Sequence, residues 1–407
     1  MPGVAGIVVV ALLVRHIGVD GYGAYALAFV GANAVSMLAG GWINQAILRF
    51  LPGKRDIDRH FIMAIVQGGM IAAALAITGT IVVLMFSMPE HNARLPLVFI
   101  GAALSALLAF YAVGTSILQA RGHAGAIAVA ELIRTVAWLS AVAGLALANL
   151  LTALLAFCCL ACAYAVSCCA VFMFIRHALA TTETSVPAIL SSGKHWLSQF
   201  LRYGWAMSFW LGLTVAMPFL DRLLIETFLG VTAMGTYAAV YDLVFRGAAV
   251  LLGPVIMTIH PITMNYVNRG DVAGAKKVVT LSFIVLLIAA AALVTVAGLS
   301  SDEIASMFRG NSRATSALFM LLAAAGSMWQ LGLIAHKLLE AQRRTTSILS
   351  ALTTAIFANI AANVLLIPRF GVNGAAIASL LAALLYILQT SLLSVDWRAR
   401  QNIGSAP

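Results

Sequence analysis

The chain has 407 residues, of which 62% are hydrophobic and only 9% are Asp, Glu, Lys or Arg, with 24 basic side chains against 14 acidic ones and a net charge of +10. An ordinary soluble domain carries roughly 25% charged residues, so the composition excludes a water-soluble fold. Because apolar stretches recur along the whole sequence, it also excludes a secreted enzyme behind a signal peptide and a soluble domain on one anchor.

A hydrocarbon core of roughly 30 Å needs about 20 apolar residues per helical crossing. Turn residues and charges divide the chain into twelve such segments: 1–17, 23–48, 61–87, 95–120, 124–147 and 150–175, then 201–226, 233–260, 277–299, 315–338, 347–367 and 372–396. The first is short. Its uninterrupted apolar run, residues 4–14, does not cross unaided, yet no basic residue precedes it and no small-x-small cleavage pattern follows it. That argues against a secretory signal and predicts a cytoplasmic lead-in ahead of Met1. The expected fold is an all-α polytopic membrane protein of about twelve transmembrane helices, with one six-helix bundle over 1–175, a cytoplasmic linker over 176–200 and a second bundle over 201–407.

The basic excess follows this topology. With both termini placed in the cytoplasm, sixteen of the 24 Lys and Arg fall on the cytoplasmic side, among them Arg49, Lys54, Arg55, Lys276, Lys277, Lys337, Arg343, Arg344, Arg398 and Arg400. Five fall outside, including Arg15, Arg309 and Arg369, and three lie within spans. Cytoplasmic loops of membrane proteins are enriched in Lys and Arg, so the charge reads as orientation, and no nucleic-acid partner is expected. No loop exceeds about 25 residues, which leaves no room for a soluble catalytic domain.

A gapless shift of 212 positions lays residues 17–29 (IGVDGYGAYALAF) on residues 229–241 (LGVTAMGTYAAVY), with identities at Gly18/Gly230, Val19/Val231, Gly23/Gly235, Tyr25/Tyr237 and Ala26/Ala238. Both copies fall in the outer loop between the first two spans of a half. Six spans per half is an even number, so the halves enter the membrane in the same direction. A pseudo-twofold axis along the membrane normal is expected, with a substrate path between two bundles that alternate access.

The segment 15–28 (RHIGVDGYGAYALA), the helix end Ala46-Ile-Leu-Arg49-Phe, the segment 117–123 (ILQARGH) and above all 365–378 (LLIPRFGVNGAAIA) resemble bacterial polysaccharide flippases of the O-antigen type, in the multidrug/oligosaccharidyl-lipid/polysaccharide exporter superfamily. The resemblance extends over nearly the whole chain; its motifs are loose, and their order and placement give it specificity. It implies movement of a polyprenyl-diphosphate-linked oligosaccharide from the cytoplasmic to the outer leaflet of the bacterial plasma membrane, in contact with membrane lipids and other polysaccharide-assembly proteins. Gly18, Gly23, Gly230, Gly235, Gly371 and Gly374 read as scaffold, since small residues permit tight turns and close backbone approach in lipid.

Ionisable residues inside a membrane are costly and face an interior or a wet cavity. Seven lie within the spans: Glu131 and Arg134, three apart; Arg222 and Glu226, four apart; Asp242 and Arg246, four apart; and Asp221. Each pair shares a helical face and can neutralise itself, which leaves Asp221 over. An unpaired carboxylate that exchanges a proton suits coupling to H+ or Na+, and Asp221, with Glu131 and Asp242, is the ion-coupling candidate. The competing reading is that Asp221 bonds to another helix or is hydrated near the outer surface. A diphosphate is matched by guanidinium groups, so Arg134 and Arg246, one per half, and Arg49 at the inner mouth are candidate substrate ligands; ion pairs that lock helices explain them equally well. Tyr203, Trp205, Trp210, Tyr237 and Tyr241 can stack on sugars, though packing and interfacial belts are commoner roles.

Other chemistry lacks its residues. All five cysteines, Cys158, Cys159, Cys162, Cys168 and Cys169, fall in one span with no His or carboxylate beside them, and Gly193-Lys194 lacks the glycine five places earlier, where Ala188 stands. No HExxH or nucleophile-elbow pattern occurs. No metal, no cofactor and no enzyme activity is expected. A drug or metabolite antiporter of the same superfamily is the alternative function. An integral-membrane polymerase, ligase or glycosyltransferase is a lesser one, disfavoured by the short outer loops.

Overall fold

The computed structural model describes residues 2–52, 59–88, 94–179, 194–300, 312–342 and 344–395. The middle of the expected linker, and loop residues such as Lys54, Arg55, Arg309, Arg343, Arg398 and Arg400, lie outside the described residues. Every element described is a helix: α1 (Pro2–Phe50), α2 (Arg59–Ser87), α3 (Arg94–Ala120), α4 (Ala124–Leu147), α5 (Ala153–Leu179), α6 (Lys194–Leu229), α7 (Val231–Asn268), α8 (Val272–Leu299), α9 (Ser312–Ala335), the short α10 (Lys337–Ala341), α11 (Thr345–Phe370) and α12 (Val372–Val395). A helix satisfies its own backbone groups, which is what lipid demands of a lone spanning segment. All but α10 are long and apolar enough to cross a membrane, which makes 11.

The first two expected spans are one helix of 49 residues, broken only at Gly18 (φ 74°, ψ 175°). At 1.5 Å per residue, a straight helix of that length would run about 74 Å, more than twice the hydrocarbon core. The break at Gly18 divides it into two segments. The outer loop expected there is therefore a one-residue kink. Its counterpart in the repeat, Gly230 (φ 85°, ψ 175°), separates α6 from α7 in the same way. This backbone region is essentially closed to residues with a Cβ, so the two halves share a local conformation as well as five letters. Gly371 (φ 60°) makes a similar junction between α11 and α12.

The chain divides into two compact units, Met1–Ala5 with Ala11–Phe219, and Gly6–Val10 with Leu220–Pro407. The division falls inside α6, one residue after Pro218, which interrupts that helix's hydrogen bonding.

In the first unit α2 packs on α3, and α3 and α4 pack on α5. Buried Trp42, Ile43, Ile47, Phe61 and Phe200 form its main apolar cluster, joined by the half-buried Trp196. Gly204, Ser208 and Gly212 recur every fourth residue along α6 and bring its backbone against α1. A Cβ at Gly204 would collide with the Trp42 carbonyl, and one at Gly212 with the Leu38 side chain. Ser208 Oγ donates to the Leu38 carbonyl at 2.8 Å. Small residues serve here because lipid supplies no hydrophobic force between helices, so close packing must hold them.

In the second unit α7 packs on α8 and α9, α9 on α12, and α11 on α12. Leu252, Ile259, Leu286, Leu331 and Ile334 form its apolar cluster. At the α11/α12 junction a Cβ on Gly374 would strike the Leu366 carbonyl, so that turn requires glycine for its close approach.

Candidate functional site

Asp221 lies in the last turns of α6, in the second unit, and is fully buried. Asn363 on α11 donates from Nδ2 to Asp221 Oδ1 at 2.7 Å. Ser379 on α12 donates to Oδ2 at 2.7 Å, and the Tyr237 hydroxyl on α7 donates to the same oxygen at 3.1 Å. Three helices thus converge on one carboxylate. Asn363 Nδ2 also lies 3.1 Å from Asn359 Oδ1, one turn earlier on α11. Asn359 and Asn363 are themselves fully buried.

Asp221 is therefore not left over, as the spacing argument had it; it bonds to other helices. The donors are an amide and two hydroxyls, and among the described residues no ion pair reaches it. Neutral donors offset part of the cost of burying a carboxylate. They supply no positive charge. Asn363 Oδ1, a second oxygen in the cluster, is buried without a hydrogen-bond partner among the described residues.

One neighbouring ion pair runs between helices. Arg222, also fully buried, donates from Nη2 to Asp242 Oδ1 at 2.7 Å, linking α6 to α7. Its guanidinium sits over the Tyr241 ring, 5.6 Å from the centroid. Helical spacing pairs Arg222 with Glu226 and Asp242 with Arg246; it does not reach the partner that Arg222 finds 20 residues away on α7. Arg246, one turn past Asp242, is half-buried and has no hydrogen-bond or ion-pair partner among the described residues. Its Nη1 lies against Gly6, where a Cβ would stand 2.6 Å away. Gly6 belongs to the same unit, so the bare backbone of the first segment of α1 makes room for this guanidinium.

In the first unit the expected pair is present: Arg134 donates to Glu131 Oε2 at 2.5 Å. Two aromatic residues complete the group. The Tyr111 hydroxyl on α3 donates to Glu131 Oε1 at 2.8 Å, and Arg134 stands 5.0 Å from the Tyr164 ring centroid on α5. Glu131 and Arg134 thus belong to a cross-linked α3–α4–α5 group, separate from Asp221 and Asp242. Arg49 is exposed in the last turn of α1.

Reasoning from ionisable residues alone missed Asn359, Asn363 and Ser379. Two asparagines one turn apart in an apolar span were the available signal, since a buried amide in lipid needs a partner. Of the aromatic candidates, Tyr237 is fully buried and hydrogen-bonded within the Asp221 group, whereas Tyr203 and Trp205 are exposed on α6.

Residues 3–267 match the family described as polysaccharide biosynthesis protein. Among solved structures, the chain is similar to an inward-facing multidrug resistance MATE family transporter of the MOP superfamily, at 14% identity and a TM-score of 0.77 over 99% of this chain and 96% of that one. It is similar also to the outward-facing conformation of such a transporter, at 15% identity, TM-score 0.70 and coverage of 100% and 95%. The lipid II flippase MurJ, in an inward closed conformation, aligns at 13% identity with a TM-score of 0.69 over 100% of this chain and 91% of that one. No curated protein matches the chain. At these identities the structures establish the fold, an all-helical one of many membrane-spanning helices, while the match over 3–267 establishes kinship: the chain belongs to the polysaccharide biosynthesis protein family.

Proposed function

We propose that the protein flips a polyprenyl-diphosphate-linked oligosaccharide across the bacterial inner membrane for cell-surface polysaccharide assembly. The observation that carries the reading is the conjunction of a polysaccharide-biosynthesis family match with a fold shared by a lipid II flippase. In this reading the chain is a transporter, with both termini in the cytoplasm and the two halves, 1–175 and 201–407, alternating access around a substrate path. Arg246 supplies a guanidinium with no competing carboxylate among the described residues, the chemistry that matches a diphosphate. Arg134 is already engaged by Glu131 and serves the first unit's packing before it serves a ligand. Arg49, exposed at a helix end, meets the substrate's charge on entry.

Movement is coupled to H+ or Na+ through Asp221. Its carboxylate, the Ser379 hydroxyl and the Asn363 side-chain oxygen offer oxygens in one buried cluster. Such a cluster holds a proton on the carboxylate or a small hard cation among the oxygens. Asp242, engaged by Arg222, and Glu131, engaged by Arg134 and Tyr111, are the weaker coupling candidates.

Cells lacking the protein test the transport reading. Loss of surface polysaccharide with accumulation of the lipid-linked intermediate on the cytoplasmic leaflet is expected. Altered drug sensitivity with normal polysaccharide would favour the antiporter instead. Covalent conversion of the substrate by the purified protein would mark it as an enzyme.

A further inference from the structure

Tyr237 does more in this geometry than complete a hydrogen-bond shell, because it is the one donor to Asp221 that belongs to the helix bearing Arg246. Ser379 and Asn363 approach from α12 and α11. Its single phenolic proton is placed between Asp221 Oδ2 at 3.1 Å and Ser379 Oγ at 3.3 Å. Ser379 donates its own proton to Asp221, so the tyrosine has one donor and two acceptors to choose between. A negative carboxylate wins that competition, since a charge-assisted bond is roughly twice as strong as a neutral one. A carboxylate neutralised by a proton or a cation does not.

From Tyr237 the contact continues along one stripe of α7. Tyr237, Tyr241 and Phe245 follow at intervals of four residues, with ring centroids 5.8 and 3.9 Å apart, the second pair stacked at 12°. Arg246 comes next in sequence, nine residues and about 14 Å of helix from Tyr237. Two further features leave α7 able to respond. It begins at Gly230 in a left-handed backbone conformation, and the Arg222–Asp242 pair tethers it to α6 at mid-stripe. With that ion pair as a pivot, releasing or drawing in the Tyr237 end reorients the Arg246 end.

We propose that Tyr237 is the positioning residue through which the charge on Asp221 sets the placement of α7 and, with it, of Arg246. The inference rests on Asp221 as the coupling carboxylate and adds the route by which its occupancy reaches the substrate-binding guanidinium. A conformational effect needs a contact whose strength differs between the two ion states. The Tyr237–Asp221 bond is such a contact.

The test uses the full-length protein in proteoliposomes with a fluorescent lipid-linked oligosaccharide and imposed Na+ or pH gradients. Two quantities are read for each variant: the half-saturating ion concentration, and the ratio of flipping rates with and without the gradient at saturation. Tyr237→Phe removes one hydroxyl and keeps the ring stack. By linkage, losing a bond that is stronger to the empty, negative carboxylate is expected to lower the half-saturating ion concentration, while the ratio at saturation falls toward one. Ser379→Ala removes a hydroxyl that is not on α7 and should shift the half-saturating concentration severalfold, upward where Na+ is held among the oxygens and downward where a proton is held on the carboxylate, with the ratio at saturation retained. A wild-type ratio in Tyr237→Phe overturns the proposal. So does a shift in half-saturating concentration like that of Ser379→Ala with the ratio intact, which would make the tyrosine only a ligand. Failure of the underlying reading is distinct: Asp221→Asn would then retain the full ion response.

Discussion

Asn363 donates to Asp221 at 2.7 Å across 142 residues of chain, and that bond makes a buried carboxylate tolerable inside a membrane helix. Removing the amide with Asn363→Ala leaves the carboxylate one donor short. A lost hydrogen bond to a buried charged group costs on the order of 1–3 kcal/mol, so the variant should unfold at lower temperature in detergent. Asp221→Asn removes the charge with little change of shape and should cost less than Asn363→Ala. The reverse order, measured by thermal unfolding, would place the strain elsewhere.

The Arg222–Asp242 pair is buried on the arginine side and largely so on the aspartate side, at 0% and 14% exposure. Removing one partner breaks a buried ion pair, which costs about 3–5 kcal/mol. Arg222→Met and Asp242→Leu should each lower folded yield and thermal stability sharply, while the double replacement recovers much of the loss. Equal damage from the single and double variants would show that no mutual dependence exists.

Gly18 and Gly230 share their backbone conformation, at φ 74° and 85° with ψ 175° in both. Alanine at either position is strained whatever the surrounding space, at about 1–3 kcal/mol. The two variants should therefore lose similar stability although they lie in different parts of the chain. A tolerant site at one and an intolerant one at the other would separate the copies of the repeat.

On α6, even the methyl group of Gly204→Ala meets the Trp42 backbone, whereas Gly144 on α4 has nothing within 4 Å of its would-be Cβ. Overpacking of this kind typically costs about 1–3 kcal/mol. Gly144→Ala should be neutral or stabilise by roughly 0.5 kcal/mol, through reduced freedom of the unfolded chain. Comparing unfolding midpoints of the two variants checks whether close approach of α1 and α6 holds the first unit together.

Much of the fold was legible in the sequence because its signals are local. Hydropathy located the crossings, and three-residue spacing located the Glu131–Arg134 pair. The error at residues 17–23 came from reading glycines as a loop, when one residue at φ 74° turns the chain inside a continuous helix. The candidate site was legible only in its acids and bases. Which partner Asp221 finds depends on how α11 and α12 pack beside α6, and which residue Arg222 grips depends on the facing surface of α7. Spacing rules describe one helix at a time and cannot supply either. The unclaimed guanidinium of Arg246 emerged only because Asp242 had been drawn to another helix.

The most direct measurement of the central claim is flipping of a polyprenyl-diphosphate-linked oligosaccharide by the reconstituted protein, with Na+ and pH gradients imposed in turn, for wild type and Asp221→Asn. Protein-dependent flipping is expected, accelerated by one of the two gradients in wild type and by neither in the variant. Flipping in Asp221→Asn that responds to the gradient as wild type does, or no flipping of this substrate by correctly folded wild type, would contradict it.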